Sequence, residues 1–152
     1  MGRGMVRNLA AAGHEVRLYA RTPARAEGLP AAVAASVAEA VDGAELGCSC
    51  VTDSDDVRQV IEAALGAPAP PPVWVELSTI APAVARELAD RCAERGVAYL
   101  DCPVSGGPPG AEAGTLAIMC GGDAGALAAA APALDAMGDP AKRVHCGPVG
   151  LG

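Results

Sequence analysis

One glycine-rich segment, residues 101–116, contains the residue types that would bind a small anion. It reads DCPVSGGPPGAEAGTL and follows a short β-type run, entering a loop before a second apolar run at Thr115 to Met119. Glycines let backbone N–H groups approach a ligand closely, and Ser105 adds a hydroxyl beside Gly106 and Gly107. These donors suit a small carboxylate. A plain turn between two strands would use the same residue types, so the residues alone leave both interpretations open.

The residues after the β-type run 15–20 concern nucleotide chemistry. An acidic residue at the end of such a strand accepts hydrogen bonds from the ribose 2′-hydroxyl of NAD, whereas arginine suits the 2′-phosphate of NADP. Here the run ends in Ala20, Arg21 and Thr22, with no acidic residue. Arg21 offers a planar set of N–H donors and Thr22 a hydroxyl. These donors would suit a 2′-phosphate, and an exposed arginine beside a helix start is the alternative.

Two further loops follow predicted strands, at the strand ends where α/β sheets bind ligands. Val51 and Thr52 follow the apolar run 46–51, and Thr79 follows the run 73–77. Each residue is therefore a candidate contact to a nucleotide. Each loop also precedes a predicted helix, so helix capping is an equal alternative, at Asp53 in the first loop and at Thr79 in the second.

Strand-like and helix-like segments alternate through the chain, joined by short loops. Apolar spacing and capping residues such as Thr22, Ser36 and Asp123 mark the helix starts. The predicted helices cover 2–12, 23–29, 37–43, 55–65, 82–95 and 124–137, and the predicted strands cover 15–20, 46–51, 73–77, 98–100, 115–119 and 143–146. This alternation predicts an α/β fold with a doubly wound, mostly parallel sheet and helices on both faces.

The composition excludes several classes of protein. The chain has 152 residues, 51% hydrophobic residues and a mean hydropathy of +0.29, which predict one folded domain. A net charge of −7 argues against nucleic acid as a partner. No apolar run is long enough to span a membrane, and no His or Cys spacing suggests a metal site. We interpret the six cysteines as buried or loop thiols of a cytoplasmic protein.

The segment 101–116 resembles the substrate-binding signature of the β-hydroxyacid dehydrogenases, which reads D-x-P-V-S-G-G-x-x-G-A-x-x-G-T-L. Every fixed letter is present here. The first nine residues, MGRGMVRNL, resemble the second half of the family string G-x-G-x-M-G-x-x-M-x-x-N-L, with Gly2 as its third glycine. The resemblance implies a Rossmann-like NAD(P)-binding domain.

The same resemblance implies roles for the candidate residues. Ser105 and the amides of Gly106 and Gly107 would hold the substrate carboxylate. Val51 and Thr52 would lie near adenine and its ribose, and Thr79 near the nicotinamide ribose. Arg21 and Thr22 resemble an N-R-T strand end, which implies NADP, with NAD as the alternative; the Asn position is Ala20 here.

The implied activity is hydride transfer between NADP(H) and a small 3-hydroxy acid or its semialdehyde. In the family a lysine that follows a G-x-x-G-x-G segment acts as the general acid/base. Residues 147–152 match those glycines, so the expected lysine lies beyond Gly152 and no residue of this chain is assigned its role. The only lysine, Lys142, precedes the segment.

Two parts of the family pattern have no counterpart in residues 1–152: the first strand and the helical C-terminal domain. We therefore expect an incomplete NADP-binding domain whose sheet lacks its first strand, a fragment that neither transfers hydride nor binds NADP with ordinary affinity. A homodimer or tetramer is expected only of a full-length protein. The alternatives are a non-catalytic nucleotide-binding module and a relative of the imine reductases or of 6-phosphogluconate dehydrogenase.

Overall fold

The computed structural model describes all 152 residues and contains six helices and eight strands. The helices are α1 (Gly2–Ala11), α2 (Val37–Val41), α3 (Ser54–Leu65), α4 (Pro82–Ala93), α5 (Gly107–Ala113) and α6 (Ala124–Met137). The strands are β1 (Arg17–Leu18), β2 (Ala32–Val33), β3 (Gly47–Ser49), β4 (Val73–Glu76), β5 (Ala98–Asp101), β6 (Val104–Ser105), β7 (Leu116–Gly121) and β8 (Gly138–Gly147).

Side-chain caps begin three of the helices. The Asp53 carboxylate accepts hydrogen bonds from the first-turn amides of α3, and Asp123 accepts one from Ala126 of α6 at 2.9 Å. The Ser36 hydroxyl accepts one from Glu39 in α2 at 3.1 Å. Each cap satisfies an amide that has no partner within its helix. The predicted caps at Ser36, Asp53 and Asp123 are therefore confirmed.

The strands form two separate sheets. In the larger one, β3, β4 and β5 are parallel, β7 is antiparallel to β5, and both β6 and β8 pair with β7. β1 and β2 form a parallel pair of their own. No strand joins this pair to β3, which is an edge of the larger sheet. The pairings within the larger sheet are mostly parallel, as predicted.

Two apolar cores cover the two faces of the larger sheet. One core combines strand residues such as Leu100 and Ile118 with residues of α1, α5 and α6. The other combines Trp74 and Tyr99 with residues of α2, α3 and α4. Helices therefore pack on both faces, which confirms the doubly wound α/β fold.

The 22–33 region differs from the prediction. Only a single 3-10 turn, Pro23–Arg25, forms where a helix to residue 29 was expected, and the Thr22 hydroxyl makes no capping hydrogen bond. Gly28 has a φ of +68°, which turns the chain toward β2, a strand that the sequence did not predict. Two residues are too short to show a period of two, so β2 depends on its pairing with β1.

The glycine-rich segment 101–116 also differs from the prediction, because it contains regular secondary structure where a loop was expected. It contains β6 and α5 because Gly106, at a φ of +135°, turns the chain and Pro108 fits the first turn of a helix. Gly114 ends α5 in the left-handed conformation, as glycine often does.

Two smaller expectations need correction. β8 begins at residue 138 rather than 143. Cys48 is neither buried nor in a loop but is exposed on the edge strand β3. No helix combines the length and the apolar character that crossing a bilayer requires.

Candidate functional site

Three candidate cofactor loops meet at the carboxyl ends of β1, β3 and β4. The Val51 amide, after β3, donates a hydrogen bond to the Ser78 hydroxyl, after β4, at 2.7 Å. Arg21, after β1, donates to Asp56 in the first turn of α3. The structure therefore brings together the loops that contain Arg21, Val51 and Thr79.

The Arg21 side chain is about three-quarters exposed, with 74% of its surface accessible, and pairs with Asp56 at 2.7 Å. Sequence analysis missed Asp56, because the acidic group comes from a helix 35 residues away rather than from the end of β1. Thr22 beside it is exposed, and its hydroxyl is free of any capping role. A ribose phosphate arriving here would compete with Asp56 for the guanidinium.

The capping alternative is resolved differently in the two remaining loops. Asp53 caps α3, as the capping alternative predicted, and Thr52 beside it is exposed. Thr79 does not cap α4, because the N-cap residue is Ala81 and no side chain caps that helix. The exposed Thr79 hydroxyl is therefore available to a ligand.

The start of α1 fits a phosphate group. Met1 supplies no side-chain cap, and a Cβ added to Gly2 would meet no atom within 4 Å. The Arg3 guanidinium, in the first turn of α1, donates hydrogen bonds to the carbonyl oxygens of Arg25 at 2.6 Å and Glu27 at 3.2 Å. It thereby connects the start of α1 to the turn that follows β1. A helix N-terminus that begins with glycine suits the pyrophosphate of a dinucleotide.

The candidate carboxylate site extends beyond the carboxyl end of β5. Asp101 pairs with Gly121 and Ser105 pairs with Ala117, in one continuous antiparallel register against β7. Ser105 and Gly106 are exposed, and Gly107 has a φ of +59° at the first position of α5. The structure therefore presents the hydroxyl and the glycine amides to solvent at the end of the sheet where the cofactor loops lie.

The second half of segment 101–116 makes contacts that fix the position of α1. The Asn8 amide donates to the Ala111 carbonyl oxygen at 2.8 Å, and Arg7 pairs with Glu112 at 3.1 Å. A Cβ on Gly4 would lie 2.7 Å from the Ala111 carbonyl carbon, so only glycine allows this approach. The segment thus connects the candidate pyrophosphate helix to the candidate carboxylate site.

Two buried carboxylates lie side by side beneath the site, since Glu76 of β4 pairs in register with Asp101 of β5. Asp101 accepts hydrogen bonds from the amides of Gly150 and Gly152, both at 2.9 Å, and so holds the C-terminal segment. Burial raises the pKa of Glu76, although hydrogen bonds from Ser49 and Ser78 act in the opposite direction.

Sequence analysis assigned neither carboxylate a role. The signals available were an acidic residue ending the apolar run VWVE and the first letter of the 101–116 signature. Neither signal reveals a hydrogen-bond partner 25 or more positions away.

A family model described as the NAD binding domain of 6-phosphogluconate dehydrogenase matches residues 1–147. The chain belongs to this family. The resemblance to the β-hydroxyacid dehydrogenases is thereby confirmed for the NAD(P)-binding domain.

Two curated or solved relatives cover the whole chain. It is 41% identical to an NAD-dependent L-serine dehydrogenase of Pseudomonas aeruginosa, of which it covers 52%. It matches the structure of Mycobacterium tuberculosis 3-hydroxyisobutyrate dehydrogenase with L-serine at 39% identity and a TM-score of 0.94, covering 53% of that chain. The chain thus spans about half the length of the relatives it matches.

An imine reductase of Streptomyces aurantiacus is also similar, at 31% identity and a TM-score of 0.87. The match covers 99% of this chain and 53% of that one. The fold of this NAD(P)-binding domain is therefore shared by relatives that are named for different activities.

Lys142, the single lysine, lies apart from the candidate carboxylate site. It lies on β8 and pairs with Asp139 at 3.2 Å at an exposed position. β7 separates β8 from β6, which carries Ser105. No three His, Cys, Asp or Glu side chains are grouped so as to hold a metal ion.

Proposed function

We propose that this NAD(P)-binding domain serves an oxidoreductase that transfers hydride between NADP(H) and a small 3-hydroxy acid or its semialdehyde. One observation carries the proposal: Ser105 and Gly106 are exposed at the same end of the sheet as the three cofactor loops. When bound, the nicotinamide supplies the hydride chemistry, and the protein supplies binding and orientation.

The residues of this chain would divide that binding between them. Gly2 at the start of α1 would face the pyrophosphate, and Val51 and Thr52 the adenosine. The exposed Thr79 hydroxyl would meet the nicotinamide ribose. On the substrate side, the Ser105 hydroxyl and the amides of Gly106 and Gly107 would hold the carboxylate, so that its neighbouring carbon faces the nicotinamide.

We favour NADP over NAD because Arg21 and Thr22 follow β1 without an acidic residue at the strand end. Two observations support NAD instead. Asp56 already occupies the Arg21 guanidinium, and one close relative is named for its dependence on NAD. The choice therefore depends on how readily a 2′-phosphate displaces Asp56.

We infer further that residues 1–152 do not by themselves turn over substrate. The general acid/base of the reaction is expected to be a lysine, and the only one present is Lys142, paired with Asp139 away from Ser105. A full-length protein would supply that lysine and the surface for a homodimer or tetramer. The six unpaired thiols fit the reducing cytoplasm.

The second candidate function is imine reduction. The similarity to the imine reductase from Streptomyces favours it, and that reaction needs no carboxylate on its substrate. A non-catalytic nucleotide-binding module is the third reading, since it would need the loops of the fold without a general acid.

Binding is best tested with amide spectra of the ¹⁵N-labelled chain, because amide shifts also report the weak binding that we expect of residues 1–152. With NADP⁺ or NAD⁺ we expect changes at Gly2, Arg21, Val51 and Thr79. Adding 3-hydroxyisobutyrate or L-serine should then move Ser105 to Gly107. Lys142→Met should change neither response, whereas Ser105→Ala should weaken the second.

Each outcome has a distinct meaning. Nucleotide binding without any response to a hydroxy acid would favour the imine reductase or the non-catalytic module. No response to either nucleotide would refute the proposed function. Hydride transfer by the 152-residue chain, measured by nicotinamide absorbance, would refute the inference that it is inactive alone.

A further inference from the structure

A buried hydrogen-bond network lies directly beneath two of the candidate cofactor loops, and Glu76 is at its centre. Its side chain is fully buried, so it can touch neither substrate nor solvent. One carboxylate oxygen accepts a hydrogen bond from the Ser78 amide at 2.9 Å, and the other accepts one from the Ser49 hydroxyl. Its partners therefore come from β3 and from the loop after β4.

Each of these two serines also accepts a hydrogen bond from a second group. The Ser78 hydroxyl accepts a hydrogen bond from the Val51 amide at 2.7 Å. The Ser49 hydroxyl accepts the indole N–H of Trp74 at 3.2 Å. A continuous path thus runs from the Val51 amide, in the loop assigned to adenosine, to the residue before Thr79, in the loop assigned to nicotinamide.

Burial of the Glu76 carboxylate lowers the stability of the folded state. No cation faces Glu76, and a buried carboxylate without an ion pair opposes folding unless hydrogen bonds compensate it. The titratable groups near it are Cys48 of β3, Cys50 just after that strand, and Tyr99 and Asp101 of β5, none of which is positive. The hydrogen bonds that compensate it come from Ser49 and Ser78, so the buried carboxylate connects β3 to the loop after β4.

We propose that Glu76 is a positioning residue for the dinucleotide, fixing the loop after β3 and the loop after β4 relative to each other. Binding of the adenosine half then favours binding of the nicotinamide half, because each half finds its loop already ordered by the other. The inference rests on the proposed function, since it takes the two loops as the sites of the two halves.

The connection itself is tested without any ligand, by following amide signals of the 152-residue chain from about pH 4 to about pH 8. In the wild type we expect the Ser78 and Val51 amides to shift together as Glu76 ionises. In Ser78→Ala, the amide at position 78 should still respond while Val51 no longer does. Glu76→Gln should abolish both responses, and Glu45→Gln, an exposed control, should abolish neither.

A Val51 amide that ignores pH in the wild type would refute the connection. So would one that responds unchanged in Ser78→Ala, because the path runs through that hydroxyl. Ser78→Ala keeps the carboxylate and its amide partner, so the test stands even where Glu76→Gln fails to fold.

The effect on the dinucleotide is measured with its two halves, adenosine diphosphate ribose and nicotinamide mononucleotide. In the wild type we expect either half to tighten binding of the other by about fivefold, a typical coupling between sites. In Glu76→Gln and Ser78→Ala this factor should fall to about one, whereas Glu45→Gln should keep it. A merely structural role would weaken each half separately and leave the factor unchanged.

The two proposals fail in different ways. If the wild type binds neither half, the proposed function is refuted and the role in dinucleotide binding with it. If both halves bind and the coupling survives in Ser78→Ala, only the inference about Glu76 is refuted.

Discussion

The two sheets of this domain hold the loops that follow their strands in different ways. The six-stranded sheet is buried on both faces, and its loops are fixed from below by Glu76 and Asp101. The β1–β2 pair is two residues long on each strand, and Val33 is 58% exposed. The loop after β1 is held at the surface, by the ion pair between Arg21 and Asp56 and by the hydrogen bonds from Arg3 to the carbonyl oxygens of residues 25 and 27. The proposed substrate and nicotinamide contacts therefore follow strands of the larger, buried sheet, whereas the proposed contact that discriminates between nucleotides follows the exposed pair.

The largest expected difference between the sheets concerns stability. Leu100→Ala removes a fully buried side chain from the larger sheet and should lower the free energy of unfolding by about 3 kcal/mol. Val33→Ala, on the exposed pair, should change it by less than about 0.5 kcal/mol. Urea unfolding followed by fluorescence of Trp74, the single and buried tryptophan, measures both. Similar losses in the two variants would mean that β1–β2 carries as much of the fold as the larger sheet.

The second prediction concerns the C-terminal segment. Asp101→Asn replaces one acceptor oxygen by an NH₂ group facing the Gly150 or Gly152 amide, and should lower stability by about 2 kcal/mol. Hydrogen exchange at those two amides should accelerate more than elsewhere. Asp139→Asn, at an exposed turn of β8, is the matched control and should affect neither amide. Unchanged exchange in Asp101→Asn would show that the segment is held by its packing alone.

The same contrast explains what the sequence could predict of the fold. Long helices with clear end signals, such as α3 after Asp53 and α6 between Asp123 and Gly138, were predicted close to their observed bounds. β2 was missed because two residues show no period, and α5 because glycine and proline usually indicate a loop. These short elements depend on tertiary pairing and on positive-φ glycines, which a local pattern does not display.

The site divides in a similar way. Sequence analysis named Arg21, Val51, Thr79 and Ser105, because each follows an apolar run or lies in a motif. It did not name Asp56 or the roles of Glu76 and Asp101, whose partners are distant in the chain. Candidate ligand-binding residues can be recognised from local sequence patterns. The residues that orient them can be recognised only from the folded structure, because their partners are distant in the sequence.

The third prediction is a pH dependence that belongs to the larger sheet. Burial raises the pKa of folded Glu76 above its ordinary value of 4.5, so the folded state holds this proton more tightly than the unfolded chain does. Its contribution to stability is complete below that ordinary value and is lost as the pH rises through the folded pKa. Relative to Glu76→Gln, the wild type should therefore lose on the order of 1 kcal/mol over this range.

Unfolding in urea at a series of pH values measures the difference between the two proteins. Glu45→Gln, at an exposed position, should follow the wild type throughout. Parallel pH profiles for the wild type and Glu76→Gln would show that the carboxyl titrates in the folded protein as it does in the unfolded chain.

The smallest expected effect lies in the β1 loop and is one of selectivity rather than stability. Asp56→Asn releases the Arg21 guanidinium, which is then free to meet a 2′-phosphate. Exposed ion pairs contribute about 0.5 kcal/mol, so the affinity for NADP⁺ relative to NAD⁺ should rise about two- to threefold. Titration of each nucleotide against the amide signals of the β1 loop gives the ratio.

Asp55→Asn is the matched control, because it removes a neighbouring carboxylate that pairs with Arg58 instead. It should leave the ratio of the two affinities unchanged, and Arg21→Ala should lower the affinity for NADP⁺ alone. If Asp56→Asn lowered the affinity for NADP⁺, the ion pair would be orienting Arg21 for the phosphate rather than competing with it. The β1 loop would then be fixed by an acidic side chain from α3, much as the loops of the larger sheet are fixed by Glu76 and Asp101.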